Sequence, residues 1–165
     1  MAEQKKRRTS QAGIDTLGLE IGNKPPQALE AEEAVLGAML LEPAVVDASM
    51  AELNAGCFYD KKNQMIFEAM SKLVNEHTSL DIITVSEKLK ALGNLEAVGG
   101  AVVLANYSER VGSAAHIEYY IKILKQKTIQ RDLITASYEI LKQSFDESTN
   151  VDDLIDNAQS KVFAA

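Results

Sequence analysis

Residues 113–145, SAAHIEYYIKILKQKTIQRDLITASYEILKQSF, decide the fold. The run holds no Pro and no Gly, so nothing in it stops a helix. At ~1.5 Å per residue a helix of this length reaches roughly 45 Å, whereas a compact body of the size that precedes it is about 30 to 35 Å across. Part of the helix is therefore expected to project. Its second half is apolar on two faces. Leu133, Ala136 and Ile140 fall together at helical spacing, and Ile134, Tyr138, Leu141 and Phe145 form another stripe about a third of a turn away. One face can pack on its own chain, and the other calls for a partner.

Beyond Phe145, residues 146–150 read as a turn. Val151, Leu154, Ile155, Ala158 and Val162 then recur at i, i+3, i+4, i+7 and i+11. This last amphipathic helix is long enough to lie back along the long one as an antiparallel αα-hairpin. No Gly, Asn or Pro follows Phe163-Ala164-Ala165, so the sequence ends without a helix stop and more protein is expected beyond it.

Working towards the N-terminus, Gly99-Gly100 precedes a helix through Val102, Val103, Leu104 and Tyr107 that closes near Gly112, and Ser113 is placed to cap the long helix. Residues 95–98 make one helical turn. Thr84-Val85-Ser86-Glu87 has the form of a capping box, after an extended connector over residues 80–83 and before a helix that stops at Gly93. Asp60 is an N-cap for a helix carrying Met65, Ile66, Phe67, Ala69, Met70, Leu73 and Val74. Residues 28–41 form a helix ended by Glu42-Pro43, and Pro43 suits the first turn of the next one, which runs through Leu53 and stops at Asn54-Ala55-Gly56. The fold class is all α: a small globular helical body over residues 25–112, followed by a protruding antiparallel helical hairpin over residues 113–165. Residues 1–24 show no sustained period and read as a disordered tail.

Composition narrows the function. The chain of 165 residues is 46% hydrophobic and 25% charged, enough for one domain with a core of ordinary size. No apolar run can span a bilayer and no secretory signal is present, so a cytoplasmic protein is expected. The single cysteine, Cys57, excludes an intrachain disulfide and a thiolate zinc site, and its neighbours make it a small core residue. The net charge is -7, and residues 1–24 hold five of the 17 basic residues but only three of the 24 acidic ones. An acidic folded part repels phosphate backbones and suits a basic protein partner. Lys5, Lys6, Arg7 and Arg8 read as a solvated terminus, with contact to nucleic acid as the alternative.

Catalytic signatures are missing. No phosphate-binding loop occurs, and Gly99-Gly100 does not extend to a dinucleotide fingerprint. His77 and His116 stand apart from each other and from carboxylate clusters, which removes metal-ligand spacing; His77 suits a helix C-terminus and His116 a helix N-terminal surface. Glu30, Glu32 and Glu33, like Asp152 and Asp153, sit in first turns, where the helix dipole accounts for them. No serine elbow links the available Ser, His and Asp residues. The basic residues of the long helix, Lys122, Lys125, Lys127 and Arg131, alternate with Glu118, Asp132 and Glu139 and read as a solvated face.

Several short motifs occur in one order: Pro25-Pro26-Gln27-x-Leu29-Glu30-Ala31-Glu32-x-Ala34-Val35-Leu36-Gly37-x-x-Leu40, Phe58-Tyr59, Ile66-Phe67-x-Ala69-Met70, Asp81-x-x-Thr84-Val85, Val98-Gly99-Gly100 and Glu118-Tyr119-Tyr120. In order and spacing the chain resembles, over residues 25–163, the N-terminal domain of the bacterial replicative DNA helicase, the DnaB family. That resemblance implies hairpins that pair between subunits, a collar of dimers on a hexameric ring, and docking of primase, with a helicase loader as a further candidate partner. It also implies that ATP, Mg and most DNA contacts belong to a separate C-terminal domain beyond residue 165, so that this part needs no cofactor and is not itself an enzyme. The family's primase-facing apolar positions match Val103, Ile134 and Ile140 here, each of which could equally serve ordinary packing. The oligomerisation face implied on the hairpin comprises Tyr138, Leu141, Phe145, Val151, Leu154, Ile155, Ala158 and Val162. Two positions depart from the family pattern: Val103 stands where an aromatic is common, and Asn63 where a His is common.

Overall fold

The computed structural model describes residues 22–111 and 116–165; all but the last three residues of the expected tail over residues 1–24, its Lys5 to Arg8 cluster and the Ser113 cap lie outside them. Among the described residues the chain is all α. The helices are α1 (Leu29–Leu41), α2 (Pro43–Glu52), α3 (Lys61–Asn75), α4 (Ile82–Ala91), α5 (Leu95–Val98), α6 (Ala101–Arg110), α7 (Ile117–Ser144) and α8 (Val151–Ala164), with a 3-10 turn at Ala55–Cys57. No described helix is long and apolar enough to cross a membrane.

The chain divides into two compact units, residues 27–127 and a second one to which Pro26 and residues 128–165 belong. The division falls inside α7, later than the sequence alone indicates. The reason is packing: Ile121 and Leu124 on the first part of α7 are buried in the core of the first unit, with Ile117, Tyr120 and Ile123 partly buried against it.

The first unit is held by a core in which Val35, Leu36, Phe58, Ile66, Met70, Val85, Leu89 and Leu104 are fully buried. Helices α1 and α6 make its most extensive contact. Gly37 permits that approach, because a Cβ there would stand 2.2 Å from the Tyr107 carbonyl oxygen. The Phe58 and Phe67 rings meet with centroids 4.9 Å apart. Cys57 is buried, as its neighbours imply.

Helix ends follow the local signals with two exceptions. Pro43 opens α2, the Asp60 carboxylate accepts from the Lys62 amide at 2.8 Å, and Gly93 at φ 72° closes α4 with Asn94 N–H bonded to the Leu89 carbonyl. Gly99 and Gly100, both with positive φ, join α5 to α6. The first exception is α4, which begins at Ile82 and not after a connector reaching residue 83. Its capping box is Asp81 with Thr84, not Thr84 with Glu87: the Asp81 carboxylate accepts the Thr84 amide at 2.8 Å and the Thr84 hydroxyl accepts the Asp81 amide at 3.0 Å. A carboxylate one turn earlier outcompetes the later hydroxyl as acceptor. The second is His77, which ends α3 by adopting φ 55°, the left-handed region usually left to Gly or Asn.

Glu32 overturns its assignment to the helix dipole. It is fully buried, and its carboxylate accepts from the Tyr59 amide (2.6 Å), the Asp60 amide (3.2 Å) and the Asn63 side-chain amide (2.9 Å). It ties α1 to the start of α3, its charge spread over three donors. Tyr107 extends the network from α6. Burial, and then the charges of Glu33, Asp60 and Glu32, raise its hydroxyl from the ordinary 10.0 to about 12.

Arg131 is the other correction. It is not on a solvated face but 5% exposed in the second unit, donating to the Pro26 carbonyl oxygen at 3.0 Å and to the Thr128 hydroxyl at 3.2 Å. Its planar fork can satisfy several acceptors at once, which is why a guanidinium tolerates that depth.

Candidate docking and assembly surfaces

The second unit is a helical hairpin formed by α8 and the part of α7 after Lys127. Asp146 organises its turn: one carboxylate oxygen accepts from the Ser148 hydroxyl (2.6 Å) and the Ser148 amide (3.0 Å), while its carbonyl accepts from the Thr149 amide. The hydroxyl first and then the amide hold the Asp146 carboxyl below its usual range. Asn150 caps α8 through the Asp152 amide at 2.8 Å. The two helices are tied by an ion pair between Lys161 and Glu139 and by the Asn157 amide donating to the Gln143 oxygen at 3.1 Å. These pairings set an antiparallel register in which residue numbers fall on α7 as they rise on α8.

The register decides which apolar side chains are covered. On α8, Leu154 and Ala158 are half-buried on the side that carries Asn157 and Lys161, while Val151 (67% exposed), Ile155 and Val162 are exposed. On α7, Ala136 is buried and Ile134, Tyr138 and Ile140 are half-buried, whereas Leu133, Leu141 and Phe145 (80% exposed) are open. The two stripes expected on α7 are therefore divided differently: Leu133 parts from Ala136 and Ile140, and Leu141 and Phe145 part from Ile134 and Tyr138. Phe163, at 91% exposed, adds an apolar side chain that periodicity passed over, because it falls one position outside the i, i+4, i+7 stripe. Glu147, Asp152, Asp153 and Asp156 are exposed near the turn, and none of them forms an ion pair among the described residues.

On the first unit, the double glycine presents the start of α6. Val103 is half-buried and packs against the core, its methyl 2.9 Å from where a Gly99 Cβ would stand. Its neighbour Val102, 62% exposed, is the apolar residue offered to solvent there. The signal for it was available in the sequence: Leu104 and Tyr107 mark the inward face of α6, and Val102 lies off that face. Lys125 pairs with Glu52 at 2.7 Å. Among the described residues no group of three or more His, Cys, Asp or Glu could hold a metal ion.

This arrangement has relatives of known family. Residues 24–126 match the family of DnaB-like helicase N-terminal domains. The chain belongs to that family. It is 35% identical over 156 residues to the replicative DNA helicase DnaB of Rhodothermus marinus, covering 94% of this chain and 16% of that protein. It is 36% identical over 138 residues to the DnaB of Geobacillus stearothermophilus, covering 84% of this chain and 30% of that protein. The crystal structure of the N-terminal domain of DnaB helicase from Mycobacterium tuberculosis superposes with a TM-score of 0.81 at 30% identity, covering 86% of this chain and all of that one. The chain thus spans less than a third of the length of these two helicases, and its likeness is to the N-terminal domain of DnaB.

Proposed function

We propose that this DnaB N-terminal domain is the assembly and docking module of a replicative DNA helicase. Its hairpin pairs with the hairpin of a second subunit, and such dimers build the collar of a hexameric ring. Unwinding, ATP and Mg belong to a C-terminal motor domain of the parent protein, which acts in the cytoplasm. The observation that carries this reading is the row of exposed apolar side chains on both hairpin helices: Leu141 and Phe145 on α7, Val151, Ile155 and Val162 on α8. Removing such surface from water contributes ~25 cal/mol per Å², against which the entropy of association is set.

Primase is the partner proposed for the remaining apolar positions, Val103, Ile134 and Ile140, and a helicase loader is a further candidate for the same surface. All three side chains are half-buried, so each can support its own unit and still offer an edge to a partner. A grip on nucleic acid through Lys122, Lys125, Lys127 and Arg131 has less support, since Arg131 is buried and Lys125 is paired with Glu52.

Light scattering on the 165-residue chain tests the assembly reading. The wild type is expected to self-associate, and Phe145→Asp or Leu141→Asp to shift it to monomer. A wild type that stays monomeric at high concentration overturns it. Mixing the chain with the cognate primase C-terminal domain tests the second contact: a complex is expected, weakened by Ile134→Glu, and no complex at high micromolar concentration removes primase from the proposal.

A further inference from the structure

Helix α8 carries a third face, used neither by its seam with α7 nor by its row of exposed aliphatic side chains. The seam is marked by half-buried Leu154, Ala158 and Lys161. With about 100° between successive residues, the row Val151, Ile155 and Val162 lies roughly a fifth of a turn from that seam. Moving each member of the row on by one residue gives Asp152, Asp156 and Phe163, a stripe of the same i, i+4, i+11 spacing. This stripe lies about half a turn from the seam, and all three side chains are exposed. The helix dipole accounts for Asp152 in the first turn. Asp156 lies beyond that turn, and Phe163 is the most exposed large apolar side chain among the described residues.

Charge selects what can cover this face. Neither Asp152 nor Asp156 forms an ion pair among the described residues, and Lys161, the one cation of α8, is paired with Glu139. A second copy of the hairpin does not neutralise them: residues 128–165 hold seven acidic side chains and three basic ones, of which Arg131 is buried and Lys161 paired. Phosphate backbones are repelled by the same carboxylates. The complement is a polypeptide with cations at i and i+4 and an apolar side chain about 10 Å further along, the axial distance from Asp156 to Phe163. We propose that the outer face of α8 docks a basic amphipathic helix of a partner protein, with Arg or Lys on Asp152 and Asp156 and an apolar side chain against Phe163. That helix lies antiparallel to α8, which opposes the two macrodipoles. The inference rests on the reading of the hairpin as a docking module, and it names the chemistry of a partner for a face that the pairing row leaves open. Phe163 is the anchor, because an exposed ring gains from leaving water while exposed ion pairs add orientation and little affinity.

The probe is a fluorescent Ala-rich peptide of roughly 18 residues with Leu at position i and Arg at i+7 and i+11, all on one helix face. A peptide of the same composition in scrambled order is its control. Anisotropy titration with the 165-residue chain is expected to show saturable binding of the first peptide only. Phe163→Ser is expected to weaken that binding about ten-fold, and so is the double variant Asp152→Lys, Asp156→Lys. No binding at about 1 mM chain, equal binding of the scrambled peptide, or binding indifferent to both variants overturns the proposal. Light scattering separates docking from pairing. A loss of self-association in Phe163→Ser as large as in Phe145→Asp gives the face to a second copy and overturns the proposal. Face-specific peptide binding by a chain that never self-associates supports the docking and removes the assembly reading instead.

Discussion

The Tyr107 hydroxyl donates to the Asn63 side-chain oxygen at 2.9 Å, and both groups are buried. Tyr107→Phe leaves that oxygen without its donor and is expected to lower stability by about 1 to 3 kcal/mol, measured by urea unfolding. Burial of the hydroxyl beside Glu33, Asp60 and Glu32 also gives it a pH signature. The folded-state hydroxyl is raised to about 12, so between pH 10 and 12 the unfolded chain releases a proton that the folded one keeps. The stabilisation is complete below pH 10 and is lost as pH rises, by roughly 2 to 3 kcal/mol at pH 12. Tyr107→Phe should flatten that part of the stability profile.

Gly37→Ala is expected to be among the most damaging small substitutions. Its Cβ would meet the Tyr107 carbonyl oxygen at 2.2 Å and the carbonyl carbon at 2.7 Å, both backbone atoms that no rotamer change moves aside. Helices α1 and α6 must separate, at a cost of about 3 kcal/mol or more. Thermal unfolding followed by circular dichroism reads the loss; an unchanged midpoint would refute the close approach.

The start of α4 can be assigned by two alanines. Asp81→Ala is expected to lower stability by about 1 kcal/mol, because the Thr84 amide loses its acceptor. Glu87→Ala, which would break the box that the sequence suggests, should stay within about 0.5 kcal/mol of wild type. Reversal of that order in chemical denaturation would restore the later box.

Ser49 offers the opposite sign. Its hydroxyl is fully buried with no hydrogen-bond partner among the described residues. Ser49→Ala removes a desolvated polar atom without opening a sizeable cavity. Stability is expected to be unchanged or to rise by up to about 1 kcal/mol in urea titration.

What was legible in the sequence was whatever depends on neighbours along the chain. Pro43, Gly93 and Gly99-Gly100 fix helix ends by their own backbone chemistry and Asn150 by a side-chain cap two residues on, and the elements fall where those residues put them. Glu32 and Arg131 were not legible in that way. A first-turn Glu has a sufficient local explanation, and the partner that buries this one, Asn63, lies 31 positions away. The Pro26 carbonyl that receives Arg131 lies 105 positions away. The faces of α7 were only half legible for a similar reason: two apolar stripes can be counted on one helix, but the side that Ala136 takes depends on where α8 returns. At the double glycine the sequence marked the right turn, while the exposed residue proved to be Val102 beside Val103.

Helix α1 is buried at six consecutive positions, Val35 to Leu40, so its apolar pattern does not say which way round it should sit. A helix greasy on every side can be rotated or slid by a turn with little loss of hydrophobic burial. The Glu32 carboxylate removes that freedom. Any other setting would leave a charge in the core away from the Tyr59, Asp60 and Asn63 donors, a penalty of several kcal/mol. One acidic side chain thus works as an indexing pin, rejecting the near-miss packings that an all-apolar α1 would tolerate.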